Sequence, residues 1–290
     1  MSTAEAVLKT APLVNETFVG NDYNFWNCTE DGWDLTRGAS SNAITLNVGG
    51  TKSPIIVAPE KSALILIDMQ NYFIHPNLSS TSVGRDLIPV MNETIFAFRK
   101  NNIPVMWVQW GLTESDVYYM PPAFLSGYYT EGPNGNTTLG DDMGNLILDG
   151  VGTKVAMGRK LMRGSWNAEP FGSLNDTMTE GLAQGTDLHF NKNRLSGLWG
   201  ATTPLDHYLT THGITTLFFG GVNLDQCVFG TMMDAFYKGY DTILVEDISA
   251  TTSPLFATQM TDYNIEGFGN APDGWTTNST NFLPDLISQS

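Results

Sequence analysis

Three side chains carry the chemistry that this 290-residue sequence can offer. Asp68 follows the apolar run Ala63-Leu64-Ile65-Leu66-Ile67, and Lys192 ends the run Asp187-Leu188-His189-Phe190-Asn191-Lys192. Cys227 closes the segment Phe218-Phe219-Gly220-Gly221-Val222-Asn223-Leu224-Asp225-Gln226-Cys227. A cysteine that opens a helix feels the positive end of the peptide dipoles, and a nearby ammonium acts in the same sense. Both are expected to lower its pKa toward the thiolate. The unpaired amides of the same turn can hold an oxyanion, and Asp68 can take the thiol proton or orient its neighbours. Each residue has an ordinary structural alternative. Free cysteine packs as a small hydrophobe, aspartate at a strand end turns or caps the chain, and lysine is usually a solvated charge. Their coincidence at equivalent positions favours a nucleophilic cysteine site.

The elements that must hold these residues are legible as continuous apolar runs, the pattern of strands buried on both faces of a parallel sheet. Such runs predict strands at residues 63–67, 103–108, 187–192, 216–222 and 242–246. Apolar residues at three- and four-residue spacing predict helices over 84–101, 204–212 and 227–238. Strand alternating with helix implies right-handed crossovers and an α/β fold: three αβα layers, a mostly parallel central sheet and Rossmann-like topology. In such sheets reactive groups gather beyond the carboxyl ends of the strands. Residues 60–290 read as one domain. Residues 1–59 are polar, show no sustained period and read as an irregular N-terminal extension with a short strand at 43–48. The last forty residues, with Gly267, Gly269, Pro272 and Gly274, also read as irregular.

The stretch from Gly111 to Thr186 is long and rich in Gly, Asn and aromatics, the kind of connection that shapes a pocket. Trp110, Tyr118, Tyr119, Phe124 and Trp166 could form an aromatic wall for a planar substrate, with core packing as the alternative. Arg163 and Arg194 could grip a substrate carboxylate, with structural ion pairs as the alternative. Gly49-Gly50-Thr51-Lys52 and Gly150-Val151-Gly152-Thr153-Lys154 lack the spacing of a phosphate loop and are assigned to turns.

Three ordered segments resemble the signatures of the isochorismatase-like cysteine hydrolases. They are Leu66-Ile67-Asp68-Met69-Gln70-Asn71-Tyr72-Phe73, Lys192-Asn193-Arg194-Leu195-Ser196-Gly197 and Gly221-Val222-Asn223-Leu224-Asp225-Gln226-Cys227-Val228. Gly164-Ser165-Trp166-Asn167-Ala168-Glu169 and residues 231–252 add to the match, and the segment before residue 60 resembles that of a fungal-type branch. The resemblance implies a catalytic triad of Asp68, Lys192 and Cys227, in an isochorismatase-like hydrolase domain at 60–290. It also implies a cis peptide joining Val222 to Asn223, which turns the Asn223 amide toward an oxyanion beside the Cys227 amide. The implied reaction is hydrolysis of the C–N bond of a small amide or carbamoyl compound through a thioester. Metal-binding members place Asp and His near the second strand, where this chain has Val108-Gln109-Trp110-Gly111, and His75, His189, His207 and His212 show no ligand spacing. No metal and no cofactor are therefore expected. Members that hydrolyse the vinyl ether of isochorismate generally lack the cysteine, so Cys227 argues for amide chemistry. A non-catalytic secreted binding protein of the same fold is the reading from outside the enzymes.

Composition narrows the partners. With 14 basic against 30 acidic side chains the net charge is −16, so phosphate backbones and anionic membrane surfaces are repelled. A small-molecule substrate and a homo-oligomer, a dimer or tetramer, are expected. Two cysteines, Cys28 and Cys227, exclude a disulfide framework. Residues 1–14 lack the apolar core of a leader, whereas Asn-x-Ser/Thr triplets begin at Asn15, Asn27, Asn77, Asn92, Asn136, Asn175 and Asn278. Cytoplasmic and secreted locations both remain open.

Overall fold

The computed structural model describes residues 17–39, 41–50, 52–148, 152–266 and 274–288. The Asn15 triplet, the leader reading of residues 1–14, Thr51, Gly150, Val151, Gly267, Gly269 and Pro272 lie outside the described residues. Among the described residues, no helix is long and apolar enough to cross a membrane.

The expectation of an irregular N-terminal extension is corrected. Strands β1 (Thr17–Gly20), β2 (Phe25–Thr29), β3 (Gly32–Asp34), β4 (Ile44–Leu46) and β5 (Ile55–Val57) form a sheet in the order β1-β2-β3-β5-β4. Strands this short cannot show a period, and they are held by what they pack on. Leu35, Ile44, Leu46, Ile55 and Val57 join the same apolar core as Leu64, Phe98, Phe218 and Phe282. The Lys52 ammonium lies 4.1 Å from the Trp275 ring centroid and 5.7 and 5.6 Å from those of Trp26 and Trp33.

The chain then builds the central sheet. β6 (Ser62–Ile67) is followed by α1 (Asn71–Ile74), α2 (Val83–Asp86), α3 (Ile88–Lys100) and β7 (Val105–Trp110). The single helix expected over 84–101 is two, because Pro89 near the start of α3 cannot continue a hydrogen-bonded helix from α2. The long connection contains α4 (Glu114–Tyr118), α5 (Pro122–Gly127), the hairpin β8 (Thr130–Gly132) and β9 (Gly135–Thr137), and the pair β10 (Asn145–Ile147) and β11 (Lys154–Ala156). After α6 (Ser173–Gln184) come β12 (Asp187–Lys192), α7 (Pro204–Thr211), β13 (Thr216–Val222), α8 (Phe229–Tyr237) and β14 (Asp241–Ala250). The chain continues with α9 (Leu255–Ile265), β15 (Trp275–Thr277) and α10 (Ser279–Ser288), so the described end of the chain is regular where irregular structure was expected.

The sheet order is β12-β7-β6-β13-β14-β15 and every pairing is parallel. Alternation along β6 divides the core: Leu64 and Leu66 pack on one face with residues of α3, α6 and α10. Ala63, Ile65 and Ile67 pack on the other with residues of α7, α8 and α9. This is the three-layer αβα arrangement expected from the continuous apolar runs.

Candidate active site

The carboxyl ends of β6, β7, β12 and β13 bring Asp68, Trp110, Lys192 and Cys227 into one buried group. Asp68 leaves β6 with φ of +54°, a left-handed conformation that aspartate tolerates better than most residues, while its amide donates to Val108 O at 3.2 Å. Its neighbour strand must come close. Gly221 of β13 has φ of +122°, and a Cβ there would lie 2.0 Å from the Ile67 carbonyl oxygen.

The Lys192 ammonium stands 2.9 Å from Asp68 Oδ2, as a charge contact rather than a well-aligned hydrogen bond, and donates to Arg194 O at 3.0 Å. It also lies 4.3 Å from the Trp110 ring centroid. The Trp110 amide donates to Asp68 Oδ1 at 3.2 Å and to Gln70 Oε1 at 3.1 Å. Gln70 Nε2 returns bonds of 2.7 Å to the carbonyls of Trp110 and Ala168. Gln70 thus stitches the ends of β6 and β7 to the loop after Trp166, a role that its place in the first signature segment did not disclose.

Cys227 sits in a π-helical turn, Leu224–Val228, that precedes α8, and its thiol lies close enough to feel the charges of Asp68 and Lys192. The Val222–Asn223 peptide is cis. Thr231 Oγ1 donates to Cys227 O at 2.7 Å and accepts from the Gly197 amide at 3.2 Å, which ties the lysine segment to the cysteine turn.

The electrostatics reverse one expectation. The helix start was expected to favour the thiolate, but burial pushes the Cys227 thiol up to about 12. The Lys192 ammonium opposes that shift, while the Asp68 charge adds to it. The resting sulfur is a thiol beside the Asp68 carboxyl group. A long-range dipole and one ammonium do not offset the removal of water from a sulfur that is 3% exposed. Burial likewise pushes the Asp68 carboxyl up, against the Lys192 ammonium, the thiol and the Trp110 amide, and so moves it toward the range of a working base. Trp110 also favours the Cys227 thiolate through its indole N–H, at a separation outside hydrogen-bond geometry.

A cavity of about 480 Å³, within the usual range for small-molecule sites, reaches the site at Val222 and Asn223, while Asp68, Trp110, Lys192 and Cys227 do not line it. Its lining includes Tyr72, Thr130, Lys160, Val222, Asn223 and Thr252. None of the four expected pocket residues lines it, which corrects that part of the sequence reading. Trp110 is fully buried beneath Lys192, Tyr118 is 81% exposed on α4, Arg163 donates to Gly111 O at 2.8 Å, and Trp166 packs edge-on against His75. Sequence reasoning missed Tyr72, Tyr128 and Lys160 in turn. Burial raises the Tyr128 hydroxyl, with charge on Cys227 and Asp68 acting in the same sense, and its ring packs edge-on against Trp110 at 5.1 Å between centroids. Among the described residues, no group of three or more His, Cys, Asp or Glu side chains is placed to hold a metal ion.

A parallel αβα sheet that carries a contiguous cysteine, aspartate and lysine beyond its carboxyl edge defines a cysteine-hydrolase architecture. The family is settled by sequence: a model described as the isochorismatase domain matches residues 62–265, and the chain belongs to the isochorismatase family. The chain is 29% identical over 235 residues to ureidoacrylate amidohydrolase from Klebsiella pneumoniae, covering 79% of this chain and 88% of that one. The fold is shared with a cysteine hydrolase from Pseudomonas syringae pv. phaseolicola, with a TM-score of 0.57, 18% identity, and 80% and 95% of the two chains covered. It is shared too with N-carbamoylsarcosine amidase from Thermoplasma acidophilum, with a TM-score of 0.52, 25% identity, and coverage of 76% and 96%.

Proposed function

We propose that the protein is a cysteine hydrolase that cleaves the C–N bond of a small amide or carbamoyl compound through a thioester. One observation carries this reading: Asp68, Lys192 and Cys227 are buried together, with the Lys192 ammonium 2.9 Å from Asp68 and the Cys227 thiol within reach of both charges. Asp68 takes the thiol proton as Cys227 Sγ attacks the substrate carbonyl. The amides of Asn223 and Cys227 receive the oxyanion. When the C–N bond breaks, Asp68 returns that proton to the departing nitrogen, leaving an acyl thioester. Water then attacks the thioester, Asp68 accepts its proton and passes it to Cys227 Sγ, and the acid leaves. Lys192 stabilises the negative charge that moves between Asp68 and Cys227 throughout.

The relatives that cleave ureido and carbamoyl amides by name support the same bond type. The placement of Cys227 beside Asp68 favours it over vinyl-ether hydrolysis, which needs the aspartate and can spare the cysteine. The test is ammonia release from a panel of small amides and carbamates, with mass spectrometry of the acylated protein. An acyl adduct on Cys227 is expected, and turnover retained in Cys227→Ala would overturn the reading.

Placement in the fungal-type branch rests on the N-terminal segment, which lies before the matched residues 62–265. The homo-oligomer reading is supported by α9, where Leu255, Phe256, Met260 and Tyr263 are exposed together. Light scattering that found only monomer would remove it.

A further inference from the structure

Among the buried cations that the reaction above leaves unused is Lys160. Lys160 is 1% exposed, and its ammonium donates to Tyr128 O at 3.0 Å, Thr130 Oγ1 at 3.0 Å and Thr137 O at 2.6 Å. All three acceptors are neutral. Among the described residues no carboxylate forms an ion pair with it, and Asp141 acts on it only through space. A buried ammonium that keeps its charge without a counter-ion is costly, and an arriving anion would offset that cost.

Lys160 lines the cavity that Asn223 also lines, and it is the basic residue in that lining. The acidic lining residue, Glu131, is exposed on β8 and makes no ion pair with it. We propose that Lys160 makes this cavity selective for amides that carry a separate carboxylate, which supplies the counter-charge the fold leaves out. The inference rests on the amidase reading and deepens it by naming the substrate class.

The geometry suits an exchange of partners. Of the three acceptors, two are carbonyls fixed in backbone, whereas the Thr130 hydroxyl is a rotor that also meets the Tyr72 hydroxyl. A carboxylate entering beside Tyr72 can take the place of Thr130 on the ammonium, and a charge-assisted bond replaces a neutral one. Specificity then follows from mismatch: a substrate with an ester or a methyl group in that place leaves the buried charge uncompensated. Arg163, named from sequence as a carboxylate grip, is exposed and lies outside the lining, so the role falls to a lysine that spacing alone did not single out.

Binding can be measured without turnover. The full chain carrying Cys227→Ala is titrated by calorimetry with ureido acids of increasing length and with the methyl ester of each, near pH 7. At least one acid is expected to bind tenfold or more tightly than its ester. Adding Lys160→Gln is expected to reduce that ratio at least fivefold, while Lys160→Arg keeps most of it. Because Lys160 also bridges both strands of the β8–β9 hairpin, a second arm needs no substitution at that position. Burial pulls the ammonium down to about 8, so the acid-to-ester ratio of the Cys227→Ala chain should fall between pH 7 and pH 9.5 while the carboxylate stays ionised. Equal binding of acids and esters, a ratio that survives Lys160→Gln or the pH change, or no binding by any acid overturns the proposal. Selective binding of acids beside an unmodified Cys227 in the wild-type chain would instead overturn the amidase reading alone.

Discussion

Asp68 and Asp241 sit at opposite edges of the same sheet, each buried and each paired with a buried cation. Asp241 begins β14 at the amino edge. Its Oδ1 accepts from Arg37 Nη2 at 2.6 Å and Trp26 Nε1 at 2.7 Å, and its Oδ2 from Arg37 Nη1 and from Thr216 Oγ1 at 2.8 Å. Asp187, at the same edge on β12, repeats the pattern with Arg99, Trp107 and Thr186. Every one of those donors keeps its proton at ordinary pH, so the carboxylates there can only hold elements together. At the carboxyl edge Asp68 meets a lysine, a backbone amide and a thiol. The thiol and the ammonium carry the protons in either set that can be transferred. The two edges use the same kinds of group, and what separates structure from chemistry is whether a donor can give its proton away.

That contrast can be broken at either edge. The largest effect is expected from Cys227→Ala or Asp68→Asn, which should lower kcat by roughly 10^4-fold or more, with Cys227→Ala leaving the thermal transition near that of the parent. Equal losses of activity and stability would erase the distinction. Next, Arg37→Met should cost about 3–5 kcal/mol in chemical denaturation, because it strands Asp241 without its cation. Turnover of the remaining folded protein should stay within a few-fold. A smaller effect sharpens the thiol's side of the comparison. With the thiol pushed up to about 12, alkylation of Cys227 by iodoacetamide should rise about tenfold per pH unit from pH 7 to 9 without a plateau. A plateau below pH 8 would mean a preformed thiolate. The smallest is Lys52→Met, which removes the cation from among Trp26, Trp33 and Trp275 and should cost about 1–2 kcal/mol with no change in kcat.

Legibility in the sequence followed the range of the forces involved. The strands around Leu64, Val108 and Phe218 could be read because burial on both faces demands an unbroken apolar run. The N-terminal sheet could not, since Gly32–Asp34 and Ile44–Leu46 are too short for a pattern: Ile44 and Leu46 join the core that holds Phe282 and Leu286, and Trp26 of β2 is held by Asp241 and Trp275, more than two hundred residues away. The pocket failed for a related reason. Aromatic residues such as Tyr118 and Trp110 look alike in sequence, and only the path of the 111–186 connection turns one outward and buries the other beneath Lys192.

By itself, then, the sequence determined the parallel αβα class and singled out Asp68, Lys192 and Cys227 as candidates, because strand burial and motif order are properties of local runs. The tertiary structure decided the protonation of Cys227, the walls of the cavity and the exposure of Lys160 to it. Desolvation and charge pairing depend on which distant segments exclude water from a given atom, and no local pattern encodes that.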